Sequence, residues 1–472
     1  MSEMNVSHEL RSVALGDHRR NTRARRIVDA IARRPSEGFP GAFDTEAELE
    51  AFYRFVNNGA IRPDALLAPH SGESWRRAVE QGGVALVLHD TSEFTYRGEV
   101  AREGLTQKAG SQGFHGHFAI AVAEGEAPVV HGVVGHRSYV IDSGTWFEAV
   151  GDEEEEFVEL LVGSERWSDV VADTRKGAPD ELPLIHVMDR EADDYVLWSR
   201  IIDQGDDFVI RAQHNRRLAG EAGKLFAALE DKPFVVSREV RLSRRGKRRP
   251  PGSRRTHPPR ESRPARLSVR ATRLEVLRPA SAAPVGLPTM TLSVVEVVEI
   301  DPPPDATPIH WLLLSTLPIN TPEDICRIVD IYRKRWLIEE FFKSIKTGCG
   351  AERRQARSLR SLLNTISLLI PVAWRLLVVR AMSRHGPTAP AEHIVDAVEL
   401  KALRHLAKGV KLPRRPTCRQ VMLAIARVGG HLKSNGDPGW LVLGRGMERL
   451  IEFASGWRAA MEVMLNGDNS EM

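Results

Sequence analysis

The fold and the chemistry of this chain are indicated most directly by the stretch Tyr332-Arg-Lys-Arg-Trp-Leu-Ile-Glu339-Glu-Phe-Phe-Lys-Ser-Ile-Lys346. At about 100° per residue, a helix here gathers polar side chains within an arc of roughly 80°. These are Tyr332, Arg335, Glu339, Lys343 and Lys346, while Leu337, Ile338, Phe341 and Ile345 point the other way. The pattern predicts a helix that buries one face and surrounds a single carboxylate with cations on the other. A solvated face with salt bridges at four-residue spacing is the alternative interpretation.

Two aspartates upstream share another pattern, in which a short apolar run of strand length ends in a carboxylate. Val84-Ala-Leu-Val-Leu-His precedes Asp90, and Leu184-Ile-His-Val-Met precedes Asp189. An aspartate in this position can also be a helix cap or a turn residue. Together with Glu339, however, two aspartates at strand ends and a glutamate on a helix can converge at one edge of a sheet.

Three converging carboxylates would repel each other unless cations lay between them, and their hard oxygen atoms suit divalent ions, above all Mg²⁺. Two such ions about 4 Å apart activate a water or hydroxyl and stabilise the leaving oxygen in phosphoryl transfer. The cations Arg335, Lys343 and Lys346 suit a phosphodiester backbone. We therefore expect Asp90, Asp189 and Glu339 to be catalytic residues that hold two Mg²⁺ ions, a site that Mn²⁺ would also fit.

The spacing of Tyr332, Arg335, Glu339 and Lys346, with the string Asp189-Arg-Glu-Ala-Asp193, resembles the signature of DDE transposases of the insertion-sequence-four family. Further similar segments occur in the same order along essentially the whole chain, from residues 14–20 to residues 424–430. The resemblance implies an α/β fold: an RNase H-like catalytic core with a β-sheet insertion, flanked by helical N- and C-terminal domains. One position departs from the family pattern, since Phe342 stands where that pattern has a histidine.

The resemblance also implies cut-and-paste DNA transposition by a homodimer assembled on DNA. A metal-activated water nicks one strand at the transposon end, and the freed 3′-hydroxyl attacks the opposite strand to form a hairpin. The hairpin is then opened and the 3′-hydroxyl ends are joined to target DNA. Residues matching those that grip the end phosphates and a flipped base are Arg211, Trp311, Tyr332, Arg335 and Lys346, and Arg23 and Arg54 match contacts to the terminal inverted repeats.

Patterns along the chain predict three domains. Residues 1–70 are basic and helical, which indicates a domain that binds DNA ends, or alternatively a helical cap with solvated arginines. Residues 71–375 would form the catalytic domain, with a β-rich insertion at about 212–318. Residues 376–472 would form a helical domain, which the family resemblance implies to be a dimerisation domain. The apolar stripe of residues 447–465 would pack on the chain's own preceding helices or, as the family resemblance implies, pair two protomers.

One segment within the insertion has an unusual composition. Residues 243–266 combine many arginines with prolines, which argues against regular structure there. We expect a mobile basic loop that contacts phosphates, or else a solvated linker.

Composition narrows the remaining function classes. The formal net charge of the 472 residues is only +3, so polyanion binding must come from local basic clusters. The three cysteines are too few and scattered for a disulfide framework, which favours a reducing, cytoplasmic location. The most apolar stretch, residues 366–379, is too short to span a bilayer and contains Pro371 and Arg375. Phosphate-binding glycine motifs are absent, so no nucleotide cofactor is expected.

Two other functions fit parts of the sequence. A transposase-like chain can act as a DNA-binding regulator that occupies transposon ends without cutting them. A general RNase H-like nuclease would lack the basic N-terminal residues and the stripe from Tyr332 to Lys346. The complete acidic set together with its basic partners favours the active transposase over both.

Overall fold

The computed structural model describes residues 6–467 except 36, 99–100, 109, 126–128, 143–144, 150–156, 160–164, 221–222, 243–260, 283, 305, 355, 433 and 435. The helices are α1 (His18–Arg33), α2 (Phe39–Ala42), α3 (Glu46–Val56), α4 (Pro63–Gln81), α5 (Glu165–Gly177), α6 (Tyr195–Asp203), α7 (Pro322–Lys334), α8 (Trp336–Lys343), α9 (Leu359–His385), α10 (Ala397–Leu406), α11 (Cys418–Val428) and α12 (Trp440–Gly467). The strands are β1 (Ala85–Tyr96), β2 (Thr106–Lys108), β3 (Ser111–Ala123), β4 (Val130–Asp142), β5 (Thr145–Ala149), β6 (Phe157–Glu159), β7 (Leu184–Met188), β8 (Asp207–Arg211), β9 (Val236–Leu242), β10 (Arg263–Leu277), β11 (Thr289–Ile300) and β12 (His310–Ser315).

The chain divides into two compact units. The first comprises Met1–Pro183 and Trp336–Met472, and the second comprises Leu184–Arg335. Strands of the first unit run in the order β6-β5-β4-β3-β1, all antiparallel, with β2 paired to β3. Strands of the second unit run in the order β7-β8-β12-β11-β10-β9, and β7 and β8 are parallel while the others are antiparallel. The predicted α/β class is therefore confirmed.

Helix α9 forms the centre of the first unit. The side-chain amide of Asn364 donates to the carbonyl oxygens of Val56 and Ile61 at 2.9 and 3.1 Å, which ties α9 to the N-terminal helices. The indole of Trp374 donates to the carbonyl of Val130 on β4 at 3.0 Å. Such bonds satisfy polar groups in an otherwise apolar interior and fix the position of the helix. Helix α9 thus links the N-terminal segment to the sheet.

The apolar stretch of residues 366–379, predicted to be too short to cross a membrane, lies within this longer helix. It extends over Leu359–His385, and among the described residues it is the one helix long and apolar enough to span a bilayer. The apolar part of the helix is, however, entirely buried within the protein. Because a core helix passes the same test of length and composition, this is weak evidence for a membrane span.

A buried cluster of hydrogen-bonded polar side chains connects the N-terminal segment to α4 and β4. The carboxylate of Glu9 contacts His70 Nδ1 at 2.6 Å and Arg77 Nη1 at 2.7 Å. Since the backbone N–H of Val133 donates to His70 Nε2 at 3.1 Å, the imidazole is neutral and carries its proton on Nδ1. Burial lowers the pKa of His70, against the opposing charge of Glu9. Burial raises the pKa of Glu9, but His70 and Arg77 outweigh it and hold that pKa at about 2.

The second unit contains the predicted β-strands of the insertion, with one correction. Residues 243–260 of the arginine- and proline-rich segment lie outside the described residues. Its end, however, is not irregular, because β10 begins at Arg263 and includes Pro264, which pairs with Arg241. Proline is tolerated here because it occupies the second position of its strand, near the strand's beginning.

The C-terminal helix α12 packs its first half into the first unit. Met447, Leu450 and Ala454 are buried, and the ring of Phe453 stacks on His405 at 5.5 Å between centroids. The far end of the helix differs, since Met461, Val463 and Met464 are exposed. The stripe therefore contacts the chain's own helices over part of its length and leaves apolar side chains at its end.

Candidate active site

Asp90 lies in the middle of strand β1. The sequence predicted that the strand would end there, which is wrong, since β1 continues to Tyr96 and pairs with β3 along its whole length. The side chain is half-buried, and its Oδ1 accepts a hydrogen bond from the backbone N–H of Thr91 at 2.8 Å. Because side chains alternate along a strand and match across it, Asp90, Ser92 and the opposing Phe118 share one face of the sheet.

Helix α8, which carries Glu339, packs on that same face. The rings of Phe341 and Phe342 contact Phe118 at centroid distances of 5.4 and 5.7 Å. Since Phe118 lies directly opposite Asp90 in the sheet, these contacts seat α8 over the part of β1 that bears the aspartate. Glu339 is half-buried. The first unit therefore brings the elements of Asp90 and Glu339 into direct contact.

Lys346 supports this arrangement from the next turn. Its ammonium donates to Ser92 Oγ at 2.8 Å and to the carbonyl of Glu93, and it lies 4.8 Å from the centre of the Phe94 ring. Ser92 is two residues beyond Asp90 and on the same face of β1. The predicted phosphate-contacting lysine is thus held beside the strand of the first aspartate.

The predicted continuous helix from Tyr332 to Lys346 is wrong in detail. Helix α7 ends at Lys334, Arg335 is its C-cap, and α8 begins at Trp336. After Lys343 the chain forms a π-helix over Ser344–Gly348, closed by a hydrogen bond from Cys349 N to Ser344 O of 2.9 Å. The Ser344 hydroxyl donates to the Ala373 carbonyl on α9 at 2.7 Å, so a tertiary contact fixes this turn. Such π-turns occur often at functional sites.

Glu340, the residue after Glu339, holds α8 in place through buried ion pairs. This role was not predicted from the sequence. The Glu340 carboxylate is buried and accepts hydrogen bonds from Lys343 at 2.7 Å and from Arg380 and Arg384 at 3.1 Å each. Burial raises the pKa of Glu340, but these three cations outweigh it and lower that pKa. Lys343, predicted to contact DNA, also lies 4.6 Å above the ring of Trp336, a side chain that is 50% exposed.

In the second unit, Asp189 follows β7 directly, as predicted. The residue also caps a short 3₁₀ helix, Arg190–Ala192, because its Oδ1 accepts from the backbone N–H of Glu191 at 2.9 Å. The helix-cap interpretation of the sequence pattern is therefore confirmed for Asp189. Its second carboxylate oxygen accepts no hydrogen bond from the described residues.

Asp193 holds the segment that carries Asp189, a role that sequence reasoning did not assign. Its side chain is fully buried, and Oδ2 accepts from the backbone N–H groups of Gln213 and His214 at 2.5 and 2.7 Å. Its Oδ1 accepts from Arg216 Nε at 2.8 Å. The chain after β8 is therefore tied to the Asp189 segment by charge-assisted hydrogen bonds.

The second unit also gathers the predicted aromatic and cationic residues. Trp311 and Tyr332 meet edge to face with ring centroids 5.4 Å apart, and Arg211 at the end of β8 donates to the His310 carbonyl at 2.7 Å. Burial raises the pKa of Tyr332. The positive charges of Arg335 and Arg211 oppose this shift, and the negative charge of Asp189 adds to it. These charged groups therefore lie close to the tyrosine hydroxyl.

The two predicted N-terminal DNA contacts lie elsewhere. Arg23 is on α1 and Arg54 is on α3, where it faces Glu50 at 3.9 Å on the surface. Neither arginine makes an ion pair with Asp90 or Glu339 in the described part of the chain.

The donor atoms of the three predicted carboxylates suit a hard divalent ion. Each carboxylate is half-buried, and each aspartate commits Oδ1 to a backbone N–H. Across the described residues, no group of three or more histidine, cysteine, aspartate or glutamate side chains is close enough together to hold a metal ion. Oxygen donors of this kind are those that Mg²⁺ and Mn²⁺ prefer.

Comparison with known families gives two matches. A transposase DNA-binding family matches residues 2–61, and the transposase DDE domain matches residues 166–373. The first range contains Arg23 and Arg54, and the second contains Asp189 and Glu339 but begins after Asp90. DDE domains have an RNase H-like core and generally use divalent metal ions. With both segments in one chain, this protein is a DDE-type transposase, an enzyme that acts on DNA.

Proposed function

We propose that the protein is a cut-and-paste transposase of the insertion-sequence-four family, near the transposase of transposon five. Asp90, Asp189 and Glu339 are its catalytic carboxylates and hold two Mg²⁺ ions. The packing of α8 against the face of β1 that carries Asp90, in a chain with a DDE match, is the observation that supports this most. When bound, the ions would activate the attacking oxygen and stabilise the leaving oxygen.

The chain's own residues would position the DNA. Arg211, Arg335 and Lys346 neutralise phosphates next to the cleaved bond, since guanidinium and ammonium groups bind phosphate oxygens strongly. Trp311, which is half-buried and packs edge to face on the buried Tyr332, offers an aromatic face on which a base flipped out of the helix can stack. Lys343 would add positive charge on the same helix as Glu339.

The reaction would proceed by successive phosphoryl transfers at one site. Water attacks a phosphodiester at the transposon end and releases a 3′-hydroxyl. That hydroxyl attacks the opposite strand, which frees the flanking DNA and leaves a hairpin. A second water opens the hairpin, and the 3′-hydroxyl then attacks a target phosphodiester and displaces a 3′-oxygen. Each step breaks one phosphorus–oxygen bond and forms another.

The proposed organisation follows the same family. Residues 1–70, with Arg23 and Arg54, would bind the terminal inverted repeats, and residues 71–375 would catalyse the reaction. Residues 376–472 would pair two protomers, and the exposed apolar end of α12 is a surface that could be covered in such a dimer. A cytoplasmic, DNA-associated location fits this function.

A strand-cleavage assay tests the proposal. A labelled duplex that joins the element's terminal repeat to flanking DNA is incubated with Mg²⁺ and either the wild type or Asp189→Asn. We expect the wild type to release the flank and to leave a product of doubled strand length on a denaturing gel. Asp189→Asn should bind the duplex with unchanged affinity and yield neither product. Asp203→Asn, an exposed change at the end of α6, is the matched control.

The other two carboxylates are tested in the same assay. Asp90→Asn and Glu339→Gln should also abolish cleavage, whereas the exposed Asp180→Asn and Glu181→Gln should not. Flank release without the doubled product would refute the hairpin route. Binding of the duplex by the wild type without cleavage in Mg²⁺ or Mn²⁺ would leave the DNA-binding regulator as the better interpretation.

A further inference from the structure

A basic pocket in the first unit is lined by residues of α1, α9 and α12. Its volume is about 450 Å³, which is within the range of small-molecule sites. Arginines from three helices line it: Arg23, Arg26, Arg33, Arg375 and Arg458. The acidic residues in its wall are Asp29 and Glu48. The lining therefore carries an excess of positive charge.

Several of these cations are not committed to acidic partners. Arg23 and Arg26 form no ion pair within the described part of the chain, and Arg33 reaches its nearest carboxylate, Asp44, only at 3.9 Å. Arg458 pairs with Asp396. Two guanidinium groups on consecutive turns of α1 thus face the pocket with their donors available.

Arg375 at the base of the pocket gives an independent indication of a ligand. Its side chain is only 4% exposed, and one terminal nitrogen donates to Glu399. Its Nε–H is buried and has no hydrogen-bond partner. A buried guanidinium donor without a partner is unusual and costly, and an anion that drew the Arg375 side chain into the pocket would satisfy it.

We propose that this pocket binds a phosphate group. Guanidinium groups match phosphate oxygens in a bidentate manner, and several of them around a half-enclosed volume favour an anion with more than one negative charge. The group would belong either to a small polyphosphate or to a DNA backbone, and only the second source rests on the proposed function. Cleavage is measured separately, so failure of one proposal is distinguishable from failure of the other.

Calorimetric titration of the full chain with sodium pyrophosphate tests the proposal. Arg26→Gln removes an exposed, unpaired pocket cation, so the variant should fold normally and weaken pyrophosphate binding about tenfold. Arg19→Gln, an exposed change on the same helix but outside the pocket, should leave the Kd unchanged. Arg375→Lys keeps the charge beside Glu399 but removes the unpaired Nε–H, and should weaken binding without lowering the melting temperature.

Two results would overturn the proposal. One is the absence of pyrophosphate binding at millimolar concentration. The other is equal weakening by Arg26→Gln and Arg19→Gln, which would indicate diffuse electrostatics. A competition experiment then distinguishes the two sources of phosphate. Displacement of pyrophosphate by duplex DNA supports a DNA backbone phosphate, whereas simultaneous binding of pyrophosphate and DNA supports a small anion.

Discussion

Replacement of Glu340 by glutamine tests how the Glu339 helix is held. The change keeps the shape of the side chain but removes the negative charge that Lys343, Arg380 and Arg384 share. Removing one partner of a buried ion pair costs about 3–5 kcal/mol, because the other charge is left buried. Lys343 and Arg384 are each about one third exposed and can be solvated, whereas the Arg380 side chain is 9% exposed.

The expected loss is therefore at the lower end of that range, about 3 kcal/mol in the free energy of unfolding. Arg380 also donates to the Pro438 carbonyl and lies 4.7 Å from the centre of the Trp440 ring, so it cannot turn away from the cluster at low cost. Because Glu339 is adjacent, the rate of DNA cleavage should also fall at temperatures where the variant remains folded.

Urea denaturation followed by tryptophan fluorescence measures the effect. Glu181→Gln, an exposed change in the same unit, provides the control. A double variant, Glu340→Gln with Arg380→Met, should lose less stability than the sum of the two single changes. If Glu340→Gln were as stable as the control, the cluster would not hold α8 and the reasoning would be refuted.

Three further predictions concern other parts of the fold. Because the folded protein has lowered pKa values at Glu9 and His70, its stability should fall as the pH drops below about 6.5 and should continue to fall towards pH 2. Urea denaturation midpoints measured across this pH range test this prediction. Asp193→Asn should lower the unfolding free energy by about 3 kcal/mol in the same denaturation assay and slow cleavage, since the amide NH2 would face N–H donors and the buried Arg216 would lose its ion pair. Gly446→Ala should lower the melting temperature, because its Cβ would lie 1.9 Å from the Ile425 carbonyl oxygen, while Gly456→Ala, with no atom within 4 Å, should not.

Sequence patterns correctly predicted those strands and helices whose boundaries are set by the residues next to them in the chain. The apolar run before Asp189 was identified correctly as a strand, since its burial pattern depends on neighbouring residues. The continuation of β1 past Asp90 was missed because it depends on pairing with β3. The π-turn after Lys343 was missed because a contact between Ser344 and Ala373 on α9 fixes it.

The candidate site shows the same division. The spacing of Glu339 and Lys346 predicted that both side chains lie on one face of a helix. In the structure, the helix of Glu339 packs on the sheet at Phe118, opposite β1, and Lys346 donates a hydrogen bond to Ser92 on β1. Glu340 was not recognised, because its arginine partners lie 40 and 44 residues further along the chain. Asp193 likewise depends on partners 20 to 23 residues away. Such long-range ion pairs leave no periodic signal in a sequence.

The central claim, that Asp189 binds a catalytic metal ion, is tested most directly by replacing it with cysteine and comparing metals. Cleavage of the end-containing duplex is measured with Asp189→Cys in Mg²⁺ and in Mn²⁺. A thiolate is a poor ligand for Mg²⁺ but a better one for the softer Mn²⁺, so we predict cleavage only in Mn²⁺. Cleavage by this variant at the wild-type rate in Mg²⁺ would contradict the account.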